Sequence, residues 1–191
     1  MPRMNVALRK PMTQEEFFVW AEGQEGRYEF DGIQPVAMTG GTNNHGLIAG
    51  NLYFQLKSRL RGGPCVPMLP AGGGVATIGN KVRYPEAVVT CSRVPGEERL
   101  VPDPVVVFEI ISPSSVRTDE VVKLLEYQTV LSIKRYVLIE QREILVTVHS
   151  RQYDEPWDAT VLAESDVVHM PEIGIEVPVA DLYDGIVFDK R

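Results

Sequence analysis

The stretch Val105-Val106-Val107-Phe108-Glu109-Ile110-Ile111-Ser112-Pro113-Ser114-Ser115 places one carboxylate inside an otherwise apolar run. Consecutive apolar residues predict a strand that is covered on both faces, as in sheets packed between helices. Packing gives no reason for Glu109, because a buried carboxylate costs free energy unless a cation or a metal ion offsets its charge. Pro113 cannot donate to a sheet and disfavours helix at Ser112, so we expect the strand to end there.

A second apolar strand opens on an acid at Pro85-Glu86-Ala87-Val88-Val89-Thr90-Cys91. The helix predicted from Thr118 to about Val130 then carries Lys123 and Tyr127 at a spacing of four, so both side chains can face one site. Magnesium prefers oxygen ligands, commonly one or two carboxylates, and it stabilises charge on a phosphodiester while making its bound water easier to deprotonate. A lysine beside such an ion can activate that water or stabilise the transition state.

The rest of the chain predicts a mixed order of elements. A capping box formed by Thr13 and Glu16 starts a short helix, and Asp31-Gly32 between two short runs predicts a hairpin in which Pro35 marks an edge strand. The later segments are a helix from about His45 to Leu60, a hairpin of 135–140 with 144–149, a further strand pair of 157–162 with 167–170, and a strand over 175–183 that turns into a final helical turn. This order predicts an α/β or α+β domain with a mixed sheet and helices against it.

Composition limits the classes of protein. The 191 residues, 44% hydrophobic and 24% charged, fit one globular domain spanning 1–191. A net charge of −7 argues against coating nucleic acid by bulk charge, although a local basic groove does not show in a sum. The cations Lys57, Arg59 and Arg61 suit the C-terminal end of their helix, with a DNA contact as the alternative.

Location and redox state follow from what the sequence lacks. It has no apolar stretch of membrane-spanning length and no signal-peptide core, so we expect a soluble, cytoplasmic protein with no membrane partner. Cys65 and Cys91 are far apart in sequence and have no second pair, so we expect two reduced, buried thiols.

Taken in order, these blocks resemble the Uma-type family of putative restriction endonucleases, which is similar in fold to the PD-(D/E)XK nucleases. The resemblance covers about 13–183. It rests on Arg27-Tyr28-Glu29-Phe30-Asp31-Gly32, His45-Gly46-Leu47-Ile48, Tyr84-Pro85-Glu86, Phe108 to Ser115, and Lys123 with Tyr127. It implies a restriction-endonuclease-like central mixed sheet flanked by helices, with an extra N-terminal hairpin and C-terminal strands. It also implies hydrolysis of DNA with Mg²⁺ or Mn²⁺, and a homodimer.

The resemblance also implies roles for individual residues. Glu86 and Glu109 stand at the metal-ligand positions, with the backbone carbonyl of Ile110 as an extra ligand. Residue 111, where the nuclease superfamily places its lysine, is Ile111, so Lys123 on the following helix is the matching candidate. Glu29 matches a further catalytic position, and the substrate-binding candidates are His45 and Tyr127.

Each candidate also has a structural explanation. His45 can be a half-buried histidine satisfied by a carbonyl, Glu29 a partner of Arg27 or Arg83, and Glu86 a half-exposed residue at a strand start. Lys123 can be a solvated helix lysine or the buried partner of Glu109.

Two hypotheses follow. The first is a magnesium-dependent DNA endonuclease that uses Glu86, Glu109 and Lys123. The second is a catalytically inactive nuclease-fold protein that binds nucleic acid or a protein partner as a dimer, since Glu86 is longer than the usual aspartate of the family and Ile111 replaces a lysine. Hydrolysis of another phosphate ester is a third, weaker possibility.

Overall fold

The structure is a computed structural model that describes residues 11–38, 40–112, 118–152 and 156–188. The helical elements are α1 (Gln14–Glu22), α2 (Asn43–Arg59), a π-helical segment (Thr118–Lys123), α3 (Leu124–Gln128) and α4 (Val179–Leu182). The strands are β1 (Tyr28–Phe30), β2 (Pro35–Ala37), β3 (Val66–Met68), β4 (Val75–Thr77), β5 (Lys81–Arg83), β6 (Ala87–Thr90), β7 (Pro104–Ile111), β8 (Arg135–Glu140), β9 (Val146–Ser150), β10 (Asp158–Leu162), β11 (Val167–Met170) and β12 (Ile175–Pro178). Within the described ranges, no helix has both the length and the apolar character needed to cross a membrane.

A six-stranded sheet in the order β10-β9-β8-β7-β6-β3 forms the centre of the fold. The strands β7 and β8 are parallel, and the other neighbouring pairs are antiparallel. This mixed sheet with helices against it confirms the predicted fold class. Strand β7 lies between β6 and β8, so the stretch that contains Glu109 is an interior strand, as its apolar run predicts.

The two faces of this sheet pack against different helices. On one face, α2 contributes Ile48, Leu52 and Leu56 to a buried cluster that contains Phe108 and Ile110 of β7. Their four-residue spacing forms one apolar stripe along the helix.

The opposite face of the sheet is covered by α3 and the turn that follows it. Tyr127 of α3 and Ile133 share a second cluster with Val107, Ile111 and Leu138. Because side chains alternate along a strand, Glu109 points to this face, between Val107 and Ile111.

A smaller sheet in the order β2-β1-β5-β4 carries the N-terminal hairpin. Phe17 of α1 stacks on Phe30 of β1, with ring centroids 5.0 Å apart, and Val82 completes this cluster. The predicted capping box of Thr13 and Glu16 is confirmed. The prediction that Pro35 lies on an edge strand is also confirmed.

Two predictions about secondary structure need correction. The strands at 157–162 and 167–170 do not form a pair, because β10 joins β9 in the large sheet whereas β11 pairs with β12 in a separate two-stranded sheet. The helix predicted over 118–130 is divided into a π-helical segment and α3. Strand β7 ends at Ile111. The expected effect of Pro113 concerns residues outside those that the structure describes.

The prediction of two reduced thiols is wrong for this structure, which joins Cys65 and Cys91 in a disulfide. Strand β3 pairs antiparallel with β6 so that Val66 lies opposite Thr90, and this register brings the two cysteines opposite each other. Spacing along the sequence could not show this, because it depends on a non-local strand pair. Cys65 is buried as predicted, but Cys91 is exposed. Disulfides persist mainly in oxidising compartments, so this bond bears on the expected cytoplasmic location.

We predict that the substitution Cys91→Ser lowers the free energy of unfolding by about 3 kcal/mol, because the bond closes a loop over a sequence separation of 26 residues. Urea denaturation without reductant measures the change. Dithiothreitol should destabilise the wild type by a similar amount and leave the variant unaffected. Equal stability of the wild type with and without dithiothreitol would show that the bond does not form in solution.

Candidate active site

Glu109 of β7 contacts a lysine and a tyrosine from the next helical elements. Lys123 Nζ lies 2.8 Å from Glu109 Oε1, and the Tyr127 hydroxyl donates to the same oxygen at 3.3 Å. Lys123 is the last residue of the π-helical segment and Tyr127 belongs to α3, so the two side chains reach the acid across the junction. The prediction that both residues lean toward one site is confirmed. Glu109 and Lys123 are 5% and 6% exposed, so Lys123 is not a solvated helix lysine.

Glu29 brings a second carboxylate to the same lysine. Its Oε1 lies 3.1 Å from Lys123 Nζ and accepts a hydrogen bond from the backbone N–H of Tyr84, while its Oε2 lies 3.0 Å from Arg83. Of the two partners suggested by the sequence, Arg27 and Arg83, the structure selects Arg83. Glu29 therefore connects the small sheet to the acid–lysine pair on the large sheet.

Arg83 extends this connection to a third carboxylate, Glu126 of α3. Its Nε and Nη2 atoms donate to the two oxygens of Glu126 at 2.6 and 2.8 Å, and Lys81 Nζ donates to Glu126 at 2.7 Å. Burial alone raises the pKa of Glu126, but the hydrogen bonds from Arg83 and Lys81 outweigh it and lower that pKa. Burial alone lowers the pKa of Arg83, and the contacts with Glu126 and Glu29 more than reverse this effect.

These contacts form one chain of alternating charge. It runs, in order of contact, through Lys81, Glu126, Arg83, Glu29, Lys123 and Glu109. The sequence singled out only Glu29, Glu109 and Lys123 as site residues. The partners Arg83 and Glu126 are 43 residues apart, and no local pattern joins them. The one available signal was the presence of charged residues in short strands and on an inner helix face.

Glu86 lies one residue before β6 and contacts the start of α2. Its Oε1 lies 2.8 Å from His45 Nε2, and the two side chains are 21% and 18% exposed. This contact matches the sequence-based alternative in which His45 binds a catalytic carboxylate. The other ring nitrogen of His45, Nδ1, is buried and has no hydrogen-bond partner among the described residues.

The sheet register brings the two acids near each other along the backbone. Ala87 lies opposite Phe108, so one step further Glu86 lies opposite Glu109. Opposite residues of antiparallel strands have Cα atoms about 5 Å apart. Their side chains nevertheless have different partners, because Glu86 contacts α2 whereas Glu109 contacts the π-helical segment and α3.

Gln141 connects the ends of the parallel strands to α2, and sequence reasoning missed it. Its amide nitrogen donates to the backbone carbonyl of Ile111 at 3.0 Å, and its amide oxygen accepts from the Thr42 hydroxyl at 2.6 Å. Thr42 caps α2, so the cap also fixes the helix start beside the site. Ligand sites in α/β folds form at the carboxyl ends of such strands.

The donor set at this edge fits a hard divalent cation in ligand type. Glu86 and Glu109 supply carboxylate oxygens, and the carbonyl of Ile110 is a further oxygen on the same strand. Among the described residues, no group of three or more histidine, cysteine, aspartate or glutamate side chains is arranged to hold a metal. An ion here would therefore need backbone, water or substrate oxygens to complete its coordination, which is usual for Mg²⁺.

We predict that Glu126→Gln lowers the free energy of unfolding by about 3 kcal/mol at pH 7, because it removes one partner of a buried ion pair. The control Glu22→Gln removes the exposed partner of Arg99 and should cost less than about 1 kcal/mol.

The same variant tests the pKa of Glu126. Because folding lowers this pKa, the carboxylate contributes stability above its unfolded pKa of about 4.3, and the contribution is lost as the pH falls through the folded pKa. Urea denaturation of wild type and variant from pH 7 to pH 2 should therefore show curves that converge in acid. A constant difference at every pH would contradict the charge assignment.

Comparisons with known proteins agree with this arrangement. Residues 14–180 match the Uma2 family, described as "Putative restriction endonuclease". The uncharacterized protein slr1290 of Synechocystis sp. is 27% identical over 180 residues, which cover 93% of this chain and 94% of that protein. The crystal structure of a putative nuclease belonging to DUF820 from Anabaena variabilis superposes with a TM-score of 0.71 and 20% identity, covering 91% of this chain and 98% of the other. The protein described above is therefore a member of the Uma2 family.

Proposed function

We propose that this protein is a DNA endonuclease that depends on Mg²⁺ or Mn²⁺ and hydrolyses phosphodiester bonds. The observation that carries the proposal is the 2.8 Å contact between Glu109 on an interior strand and Lys123 from the next helical segment. This pair supplies the acid and the lysine that nucleases of this fold family place on one strand, although residue 111 is here isoleucine. The family resemblance further supports DNA as the substrate and a homodimer as the assembly.

In this proposal Glu86, Glu109 and the carbonyl of Ile110 hold the metal ion. When bound, the ion stabilises negative charge on the phosphodiester and makes a water molecule easier to deprotonate. The Lys123 ammonium supplies positive charge beside Glu109 and orients the attacking water. Glu29 holds that ammonium in place through its 3.1 Å contact.

Tyr127 and His45 have supporting roles in the proposal. Tyr127 donates to the oxygen of Glu109 that also contacts Lys123, so it fixes the orientation of the carboxylate. His45 approaches Glu86 at the more exposed side of the site. A DNA phosphate would arrive from this side, because Glu109 and Lys123 are buried.

We predict that wild-type protein nicks supercoiled plasmid with Mg²⁺ or Mn²⁺, and that Glu109→Ala reduces the rate by about 100-fold or more, as expected when a reacting group is misplaced. Glu109→Gln keeps the shape and should be similarly inactive. The control Glu98→Gln changes an exposed acid and should retain full activity. Thermal melts confirm that each variant is folded. Equal nicking by wild type and both Glu109 variants would rule out this site.

One observation favours the second function, a catalytically inactive binding protein. The six groups of the charge chain balance each other without a metal ion, so Lys123 and Glu109 have a purely structural explanation. Glu86, one methylene longer than the family's usual aspartate, is itself paired with His45. In this case the protein would bind nucleic acid or a protein partner through the same fold.

Calorimetry separates the two functions. The endonuclease proposal predicts that the wild type binds Mn²⁺ and that Glu86→Ala abolishes this binding, because it removes an oxygen ligand. The variant His45→Ala breaks the same contact with Glu86 but leaves the carboxylate in place, so it should still bind Mn²⁺. Absence of metal uptake by the folded wild type would favour the inactive binding protein.

A further inference from the structure

The outward face of α2 carries a groove that the candidate active site does not use. Its lining residues are Gly50, Tyr53, Phe54, Lys57, Ser58 and Arg61, and its volume is about 460 Å³. Phe54 is 66% exposed, which is unusual for a large aromatic side chain on a helix whose opposite face fills the core. The groove therefore places an aromatic ring and two cations on one solvent-facing surface.

The charge of this region differs from that of the whole chain. From Gly32 to Pro85 the sequence contains no aspartate or glutamate, although the chain has 26 acids and a net charge of −7. Lys57 and Arg61 make no ion pair with any residue that the structure describes, whereas Arg59 is turned toward Asp181. The groove thus offers two available positive charges with no neighbouring acid in sequence, which suits a polyanion.

Gly50 lies in the middle of α2 without a reason inside the chain. A Cβ atom at this position would meet nothing within 4 Å, so packing does not require glycine. Glycine inside a helix costs about 1 kcal/mol relative to alanine. The missing side chain leaves room for a ligand backbone to approach the helix beside Phe54.

We propose that this groove binds a single-stranded stretch of DNA, with phosphates on Lys57 and Arg61 and an unpaired base against Phe54. Cations beside exposed aromatic rings are the usual surface for single strands, because every base can stack on a ring. The inference rests on the proposed function, since it names the DNA strand that the nuclease would hold. The same helix begins at His45 beside Glu86, and twelve residues separate His45 from Lys57, a rise of about 18 Å.

Two other occupants are possible for this face. The cations also suit the C-terminal end of α2 through the helix dipole, which would require no ligand. The exposed Leu47 and Phe54 would also suit a helix of a second copy of the chain. Neither account explains why the lining cations stand in a long stretch without acids, so the polyanion is favoured.

The test measures binding of a fluorescent 20-mer of thymidylate by anisotropy in EDTA, where cleavage cannot occur. We expect the double variant Lys57→Ala/Arg61→Ala to weaken binding at least 5-fold. It should also reduce the slope of log affinity against log salt by about 1.4, or about 0.7 for each lost phosphate contact. Phe54→Ala should weaken binding about 10-fold through lost stacking. Arg27→Ala/Arg93→Ala removes two exposed cations outside the acid-free stretch and should change neither quantity.

Several results would overturn the proposal. They are no binding by the wild type, equal loss in the control variant, or a duplex 20-mer that binds as tightly and is insensitive to Phe54→Ala. A change in molecular mass on Phe54→Ala without a change in DNA affinity would assign the face to a second copy. Plasmid nicking is measured separately. Binding that depends on Lys57 and Arg61 in a protein that does not nick would refute the nuclease and keep the groove.

Discussion

The ammonium of Lys123 sits between two buried carboxylates, Glu29 at 3.1 Å and Glu109 at 2.8 Å, and the arrangement of the two larger sheets depends on it. Each ion would cost several kcal/mol to bury alone. Glu29 comes from the small sheet, Glu109 from the large sheet and Lys123 from the helical segment that packs between them. Each element must therefore arrive with its charge, and the fold is specified by electrostatic pairing as well as by its apolar clusters.

The same pairing explains why an acid is tolerated in the middle of an apolar strand. Val107 and Ile111, on either side of Glu109, pack against Tyr127 and Ile133 in the second cluster. The lysine and the tyrosine hydroxyl reach the acid at the edge of this cluster, so its charge is met without opening the core. The π-helical turn contributes to this geometry, because it ends on Lys123 and passes into the helix that carries Tyr127. Such turns are frequent at functional sites.

Local patterns predicted what is local in this fold. The apolar spacing of α2, the capping box at Thr13 and the acid within β7 each constrain neighbouring residues, and the structure has them as predicted. Sequence reasoning failed where the outcome depends on strand pairing. The disulfide requires β3 to lie beside β6, and the Arg83–Glu126 pair requires the small sheet to approach α3. No spacing in the sequence encodes these approaches, because they result from the packing of distant elements.

The two acids that began the argument are not equivalent in the folded chain. Glu109 is buried and paired with a lysine, whereas Glu86 is partly exposed and paired with a histidine whose second ring nitrogen is buried without a partner. A group that is already neutralised in the interior serves as a fixed anchor, while a group near solvent can exchange its partner at low cost. In a site built this way, a ligand would enter at Glu86 and His45, and the charge chain behind Glu109 would hold the opposite wall in place. The position of lysine on the helix, instead of at residue 111, fits this division. Ile111 is then free to complete the apolar cluster, and the strand supplies only the acid.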